Sequence, residues 1–154
     1  MLMTRVDILV VEDNPDDLEL TLHALARGDR NCRTAVARDG EEALDFLFAR
    51  GTFSDRIFDV PRLVLLDLKL PKVTGIEVLK QLKEDPRTKS IPVVIFTSSK
   101  EECDLLSGYQ LGANSYIQKP VDFEEFRKTI GALGAYWMVT NHAPPDVLTS
   151  TGSA

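Results

Sequence analysis

The sequence is poor in cysteine: Cys32 and Cys103 are the only two in 154 residues, and they form no C-x-x-C pattern. We interpret both as ordinary thiols of a reducing compartment. The chain also lacks an apolar run near the roughly 20 residues that a membrane-spanning helix needs. Its first residues carry no charged segment followed by a long apolar stretch, so no secretory signal peptide is predicted. These absences favour a cytoplasmic protein.

Basic residues are outnumbered, since 18 Lys and Arg stand against 24 Asp and Glu and give a net charge of −6. A nucleic-acid-binding domain normally has a basic excess, and an acidic chain is not drawn to an anionic membrane surface. We therefore expect neither nucleic acid nor membrane as a partner. The hydrophobic fraction of 44% and the charged fraction of 27% are typical of a soluble globular domain.

Short, mostly apolar runs alternate with segments of helical periodicity. The predicted strands are residues 6–11, 33–37, 63–66, 91–96 and 115–117, and a helical segment follows each of them. At the first helix, Asn14 suits the N-cap and Pro15 the first helical position. Five strands and five helices in strict alternation predict an α/β domain with a parallel sheet, helices on both faces and right-handed crossovers.

The same pattern predicts one domain over residues 1–142. Within it, residues 51–62 form a long loop before the third strand, and the last helix extends over about 122–140. Residues 143–154 are rich in Pro, Ser, Thr and Gly, which is typical of a flexible terminal tail. Because few residues follow residue 140, we expect no DNA-binding or enzymatic domain there.

Functional side chains follow four of the predicted strands. Glu12 and Asp13 follow the first strand, Asp67 the third, Thr97 the fourth and Lys119 the fifth. A single Asp after a strand is usually a turn former. Because ligands of open parallel sheets bind outside the carboxyl ends of the strands, four such strand ends together indicate a site.

The residue types at this edge fit phosphoryl chemistry. Carboxylates gathered in one cleft repel each other unless a cation or protons relieve them, and Mg²⁺ prefers oxygen ligands. Lys119 and Thr97 supply an ammonium and a hydroxyl that suit a transferring phosphoryl group. A carboxylate can itself act as the nucleophile and form an aspartyl phosphate. Asp67, on the central strand, is the natural acceptor.

Five segments, in their order along the chain, resemble the receiver domain of two-component response regulators. They are Val10-Val11-Glu12-Asp13-Asn14, Leu65-Leu66-Asp67-Leu68-Lys69-Leu70-Pro71, Thr74-Gly75, Val94-Ile95-Phe96-Thr97-Ser98-Ser99 and Tyr116-Ile117-Gln118-Lys119-Pro120. The resemblance covers about residues 6–135. It implies a flavodoxin-like, doubly wound (βα)5 fold with sheet order 2-1-3-4-5. It also implies that a histidine kinase is the partner that phosphorylates Asp67, and that the chain is a signalling domain rather than an enzyme.

The resemblance further implies a metal site. Mg²⁺, for which Mn²⁺ can substitute, would be bound by Asp13, Asp67 and the backbone carbonyl of Lys69, with Glu12 acting through water. The side chains of Lys69 and Ser99 occupy positions that tune dephosphorylation in the family.

The resemblance also implies a switch. Lys119 would contact the phosphoryl group, and Thr97 would move to hydrogen-bond it. Tyr116 would swing inward as Thr97 moves. The peptide bond between Lys119 and Pro120 is expected to be cis, as in the family.

Other readings fit the residues less well. A haloacid-dehalogenase-like phosphatase usually has a second Asp two positions after the nucleophile, where this chain has Lys69. A flavodoxin needs a phosphate-cradling loop after the first strand, where this chain has a run of acids. Asp16 and Asp17 are interpreted as favourable charges at a helix N-terminus, and His23 as a structural residue.

The long loop at 51–62 resembles that of stand-alone regulators paired with bacterial phytochrome kinases, and output is expected through protein–protein contact. The aromatic end of the last helix suggests a homodimer through Phe126, Ile130, Tyr136 and Trp137. A monomeric receiver of the chemotaxis or phosphorelay type remains the alternative.

Overall fold

The computed structural model describes residues 5–142, apart from the side chains of residues 102 and 103. The predicted tail at 143–154 lies outside the described residues. Within the described part of the chain, no helix is both long and apolar enough to cross a membrane.

Five parallel strands form one sheet in the order β2-β1-β3-β4-β5, and a helix follows each strand. The strands are β1 (Ile8–Val11), β2 (Thr34–Ala37), β3 (Leu63–Leu66), β4 (Val93–Thr97) and β5 (Ser115–Gln118). The helices are α1 (Pro15–Gly28), α2 (Gly40–Leu47), α3 (Gly75–Glu84), α4 (Glu102–Gln110) and α5 (Phe123–Ala135), and a π-helical turn (Tyr136–Thr140) extends α5. The predicted flavodoxin-like (βα)5 fold and its strand order are confirmed.

Both faces of the sheet are buried, which explains why its central strands are continuous apolar runs. Leu9 and Leu66 point into a core covered by α2 and α3. Ile8 and Leu65 point into a second core covered by α1 and α5. The register places Val11 of β1 opposite Leu66 of β3, so these two strands end level with each other.

The last helix turns its apolar stripe inward, which corrects the predicted dimer surface. Phe126 and Ile130 are 4% and 0% exposed and belong to the core between α5 and the sheet. Phe126 also packs edge-to-face on Phe96, with ring centroids 5.0 Å apart. Residues four apart on a helix share a face, and this face meets the core. Of the four predicted interface residues, Tyr136 is exposed and Trp137 is half-buried.

The long loop at 51–62 is anchored to α2. It begins with a short 3₁₀ turn (Gly51–Phe53), and Phe53 packs edge-to-face on Phe46 at 5.3 Å between centroids. The guanidinium of Arg56 donates to the carbonyl oxygens of Phe46 (3.0 Å) and Asp59 (2.7 Å) and lies over the Phe46 ring. The loop therefore packs against α2.

Helix α2 ends in a left-handed residue that is not glycine. Ala49 has a φ of 51°, and its amide donates to the carbonyl of Phe46 (3.3 Å), while the amide of Arg50 donates to that of Asp45 (2.9 Å). These two bonds form a Schellman motif, whose left-handed position is usually occupied by glycine. An alanine Cβ is strained in this conformation.

We therefore expect Ala49→Gly to stabilise the protein by about 0.5–1 kcal/mol, because the relief of strain outweighs the added flexibility of the unfolded chain. Urea unfolding of both proteins measures the difference. The matched control is Ala132→Gly, the same chemical change inside α5, which should destabilise by about 0.5–1 kcal/mol. Destabilisation by both substitutions would contradict the strain argument.

Candidate functional site

Hydrogen bonds of the sheet continue past the strand ends and fix the backbone of the site residues. The amide of Glu12 donates to the last carbonyl of β2 (3.0 Å), and the amide of Asp67 donates to the last carbonyl of β1 (3.0 Å). The amide of Lys119 donates to the carbonyl of Thr97 (2.7 Å). The predicted strand-end residues therefore lie at one edge of the sheet.

Two helix N-termini complete this edge. Asn14 caps α1, and its Oδ1 accepts from the amides of Asp16 and Asp17 at 3.0 Å each. At α3, Gly75 is needed because a Cβ there would overlap the carbonyl oxygen of Asp67. The Thr74-Gly75 turn thus lets α3 begin directly beside the loop that carries Asp67.

Three carboxylates meet at the centre of the edge. Oxygens of Glu12, Asp13 and Asp67 lie within 4.8 Å of one another. Glu12 and Asp67 are buried, whereas Asp13 is exposed. An all-oxygen donor set with two or more carboxylates fits a hard divalent cation. The side chain of Lys69 is exposed, and its amide donates to Oδ1 of Asp67 (3.2 Å).

The Lys119 ammonium is the counter-ion of this pocket. Its Nζ lies 2.6 Å from Oε1 of Glu12, 2.9 Å from Oδ2 of Asp17 and 3.0 Å from Oδ2 of Asp67. The residue is 9% exposed. The sequence alone indicates for Asp17 only a favourable charge at the start of α1. That interpretation is incomplete, because the first turn of α1 points its side chain at Lys119.

Burial and charge shift the pKa values of these groups in different directions. Burial, reinforced by the charge of Asp67, raises the pKa of Glu12 to about 7, although its bond to Lys119 acts the other way. Burial also acts to raise the pKa of Asp67, but the charge and hydrogen bond of Lys119, with a hydrogen bond from Thr97, lower it overall. Burial acts to lower the pKa of Lys119, but bonds to Glu12 and Asp17 outweigh it, and the pKa is raised.

The predicted switch residues are joined through the loop that follows β4. Thr97 is fully buried, and its Oγ1 accepts from the amide of Ser99 (3.3 Å). The carbonyl of Ser99 accepts from the hydroxyl of Tyr116 (3.0 Å). The hydroxyl of Ser99 donates to Oδ2 of Asp104 at 2.6 Å. Asp104 was not predicted as part of the site, because no strand end or motif marks it.

The peptide bond between Lys119 and Pro120 is trans, as are the other peptide bonds of the described part of the chain. The expected cis bond is therefore wrong for this structure. The trans isomer is the lower-energy form of an X-Pro bond by roughly 0.5–1 kcal/mol. It is compatible here with the bond between the Lys119 amide and the Thr97 carbonyl.

Comparison with known proteins gives a consistent result. A family model described as the response regulator receiver domain matches residues 8–131. Over 137 residues the chain is 41% identical to a probable methanogenesis regulatory protein, FilR2, of Methanothrix harundinacea, covering 89% of this chain and 86% of that one. It is 35% identical to the response regulator Rcp1 of Synechocystis, covering 89% and 92%.

Solved structures agree with these relatives. The phosphorylated cyanobacterial phytochrome response regulator RcpA superposes with a TM-score of 0.86 at 35% identity, covering 92% of this chain and all of that one. The bacteriophytochrome response regulator AtBRR is 49% identical, with a TM-score of 0.71 and 91% of this chain covered, again with all of that one.

The raised pKa of Glu12 leads to a prediction for the metal-free protein. Between pH 4.5, its ordinary value, and pH 7, folded Glu12 holds a proton that the unfolded chain has lost, so stability falls as pH rises. Above pH 7 the charged carboxylate destabilises the fold. Glu12→Gln should therefore be more stable than the unmodified protein at pH 8, by on the order of 1–3 kcal/mol, with a smaller gain at pH 5.

Thermal unfolding in a chelating buffer at the two pH values measures this difference. Asp67 does not obscure this difference. Its pKa is lowered from an ordinary value of 3.8, so its protonation changes the stability only at pH values near and below 3.8. The control is Glu84→Gln, which removes the same charge from an exposed position on α3. An equal effect of the two substitutions at pH 8 would show that the charge of the pocket is not the cause.

Proposed function

The chain belongs to the response regulator receiver family, and we propose that it accepts a phosphoryl group from a histidine kinase onto Asp67. One observation carries the proposal: the Asp67 carboxylate lies among two further carboxylates and the buried ammonium of Lys119. Receiver domains are signalling domains, so the phosphoryl group serves as a signal. We place the protein in the cytoplasm with its kinase.

In the proposed reaction, a carboxylate oxygen of Asp67 attacks the phosphorus of the phosphohistidine. The P–N bond breaks, its electron pair stays on the imidazole, and an acyl phosphate forms on Asp67. Lys119 would bind a phosphoryl oxygen, and the hydroxyl of Thr97 would donate to another. A divalent cation held by Asp13, Asp67 and the Lys69 carbonyl, with Glu12 through water, would offset the charge of the phosphoryl group.

We propose Mg²⁺ as this cation, with Mn²⁺ able to replace it. The acidic cluster is consistent with either ion. The structure of a related regulator, Rcp1, is described as a Mn²⁺-bound form, and it superposes with a TM-score of 0.85 at 34% identity, covering 92% of this chain and all of that one.

The signal would leave the site through the loop after β4. A rotation of the Thr97 side chain that moves Oγ1 to the phosphoryl group would break the hydrogen bond that Oγ1 accepts from the amide of Ser99. The Ser99 carbonyl holds the Tyr116 hydroxyl, so a displaced loop moves Tyr116 with it. Lys69, two residues after Asp67, and Ser99, two residues after Thr97, would control the access of water to the acyl phosphate.

A phytochrome-type kinase is the proposed source of the phosphoryl group, since RcpA and AtBRR are described as phytochrome response regulators. A chemotaxis-type or phosphorelay receiver is the second candidate. Pull-down of partners with the phosphorylated protein separates the two, because each predicts a different target.

The central prediction concerns phosphoryl acceptance. Incubation with Mg²⁺ and acetyl phosphate should label Asp67, because a small acyl phosphate can replace the kinase as donor. Asp67→Asn should reduce labelling to background, and Lys119→Ala should keep cation binding but slow labelling at least tenfold. Intact-mass spectrometry measures the added phosphoryl group. Asp55→Asn, at an exposed acid, is the control for nonspecific labelling. Labelling of Asp67→Asn as strong as that of the unmodified protein would refute the proposal.

A homodimer remains part of the proposal, with a smaller surface than the sequence suggested. Tyr136 and Val139, in the π-helical turn that follows α5, are 50% and 76% exposed, and exposed apolar side chains mark candidate interfaces. Light scattering should give a dimer mass at high micromolar concentration, and Tyr136→Ser with Val139→Ser should shift it to the monomer. A monomer mass for the unmodified protein, phosphorylated or not, would favour the monomeric alternative.

A further inference from the structure

Lys119 has three N–H donors, and each meets a different carboxylate. Two of these partners, Glu12 and Asp67, also belong to the cluster whose oxygens could hold a cation. The third, Asp17, lies outside that cluster but is within 2.9 Å of Nζ. Among the described contacts of Lys119, Asp17 is thus the one carboxylate that does not also belong to the cluster that could bind a cation.

The fold holds Asp17 in place independently of the cluster. Its amide is fixed by the N-cap Asn14 (3.0 Å), and α1 is packed against α5. Its side chain is partly exposed, whereas those of Lys119 and Glu12 are buried. The Asp17 carboxylate therefore lies at the solvent-facing side of the pocket, on the first turn of α1, and contacts the Lys119 ammonium from that side.

Cation binding would change the interactions of Glu12 and Asp67 with Lys119. Glu12 and Asp67 cannot give their full charge to a divalent cation and to Lys119 at the same time. An ammonium with no further counter-ion would compete with the cation for both carboxylates. With Asp17 in place, Lys119 keeps a counter-ion while the cluster binds the cation.

We infer that Asp17 is a positioning residue, which holds the Lys119 ammonium so that Glu12 and Asp67 are free to engage a divalent cation and the phosphoryl group. The inference rests on the proposed function, because it assigns Asp17 a role in the same site. It predicts that loss of Asp17 weakens cation binding through Lys119 and not merely through the loss of one negative charge.

Asp16 provides a matched control for that distinction. It is the preceding residue in the same first turn of α1, carries the same charge, is exposed, and forms no ion pair within the described part of the chain. Asp16→Asn and Asp17→Asn therefore change the net charge and the helix N-terminus alike. They differ in the contact with Lys119.

The test measures Mn²⁺ affinity of the full chain from the paramagnetic resonance signal of the free ion. We expect Asp17→Asn to weaken Mn²⁺ binding roughly three- to tenfold, and Asp16→Asn by less than twofold. Asp17→Glu, which retains a carboxylate, should stay within twofold of the unmodified protein. In a Lys119→Ala background, the loss caused by Asp17→Asn should shrink at least twofold.

Equal losses for Asp16→Asn and Asp17→Asn would overturn the inference. A loss in the Lys119→Ala background as large as in the unmodified one would overturn it too, because Asp17 would then act through its charge alone. Labelling of Asp67 by acetyl phosphate is measured on the same samples. If Asp67 is labelled but the Asp17 variants do not show the expected changes in Mn²⁺ affinity, the proposed function stands and the inference about Asp17 is wrong. If the unmodified protein neither binds Mn²⁺ nor becomes labelled, the proposed function and the inference are both wrong.

Discussion

Repulsion between carboxylates at one edge of the sheet is the constraint on which this site depends. Glu12 and Asp67 are buried side by side, and the ammonium of Lys119 is their shared counter-ion. Burying charges is costly unless each is paired and hydrogen-bonded. Burial raises the pKa of Glu12 to about 7 in spite of its bond to Lys119, so the ammonium offsets the cost of burying this carboxylate only in part. The pocket therefore lowers the stability of the folded protein, and the packing of the rest of the domain must offset this cost.

The parallel sheet can hold these acids together because it fixes the backbone at the ends of the strands that carry them. Amides of Glu12 and Asp67 are bonded to neighbouring strand ends, and both faces of the sheet are packed. The acids therefore stay together even though they repel each other. A cation and a phosphoryl group would find their ligands already assembled, which lowers the reorganisation that the reaction requires.

Residues adjacent to strand ends were predictable from the sequence, because strand direction alone decides which edge they occupy. Asp17 was not, because its contact with Lys119 depends on how the first turn of α1 faces the loop after β5. Phe126 and Ile130 were assigned wrongly because an apolar helical face suits a core and an interface equally. Only the packing of α5 on α1 and on the sheet decides between them.

Charge balance favours one order of events in this pocket. The carboxylates of Glu12, Asp13, Asp17 and Asp67 and the ammonium of Lys119 have a formal charge of −3 (−4 + 1). A phosphodonor carries negative charge of its own and would meet this excess at short range, where little solvent screens it. Either a proton on Glu12 or a divalent cation lowers the excess, and the cation lowers it more. Because Lys119 is shared among three carboxylates, it cannot attract the donor unaided, so occupation of the acidic cluster by a cation should precede phosphoryl transfer.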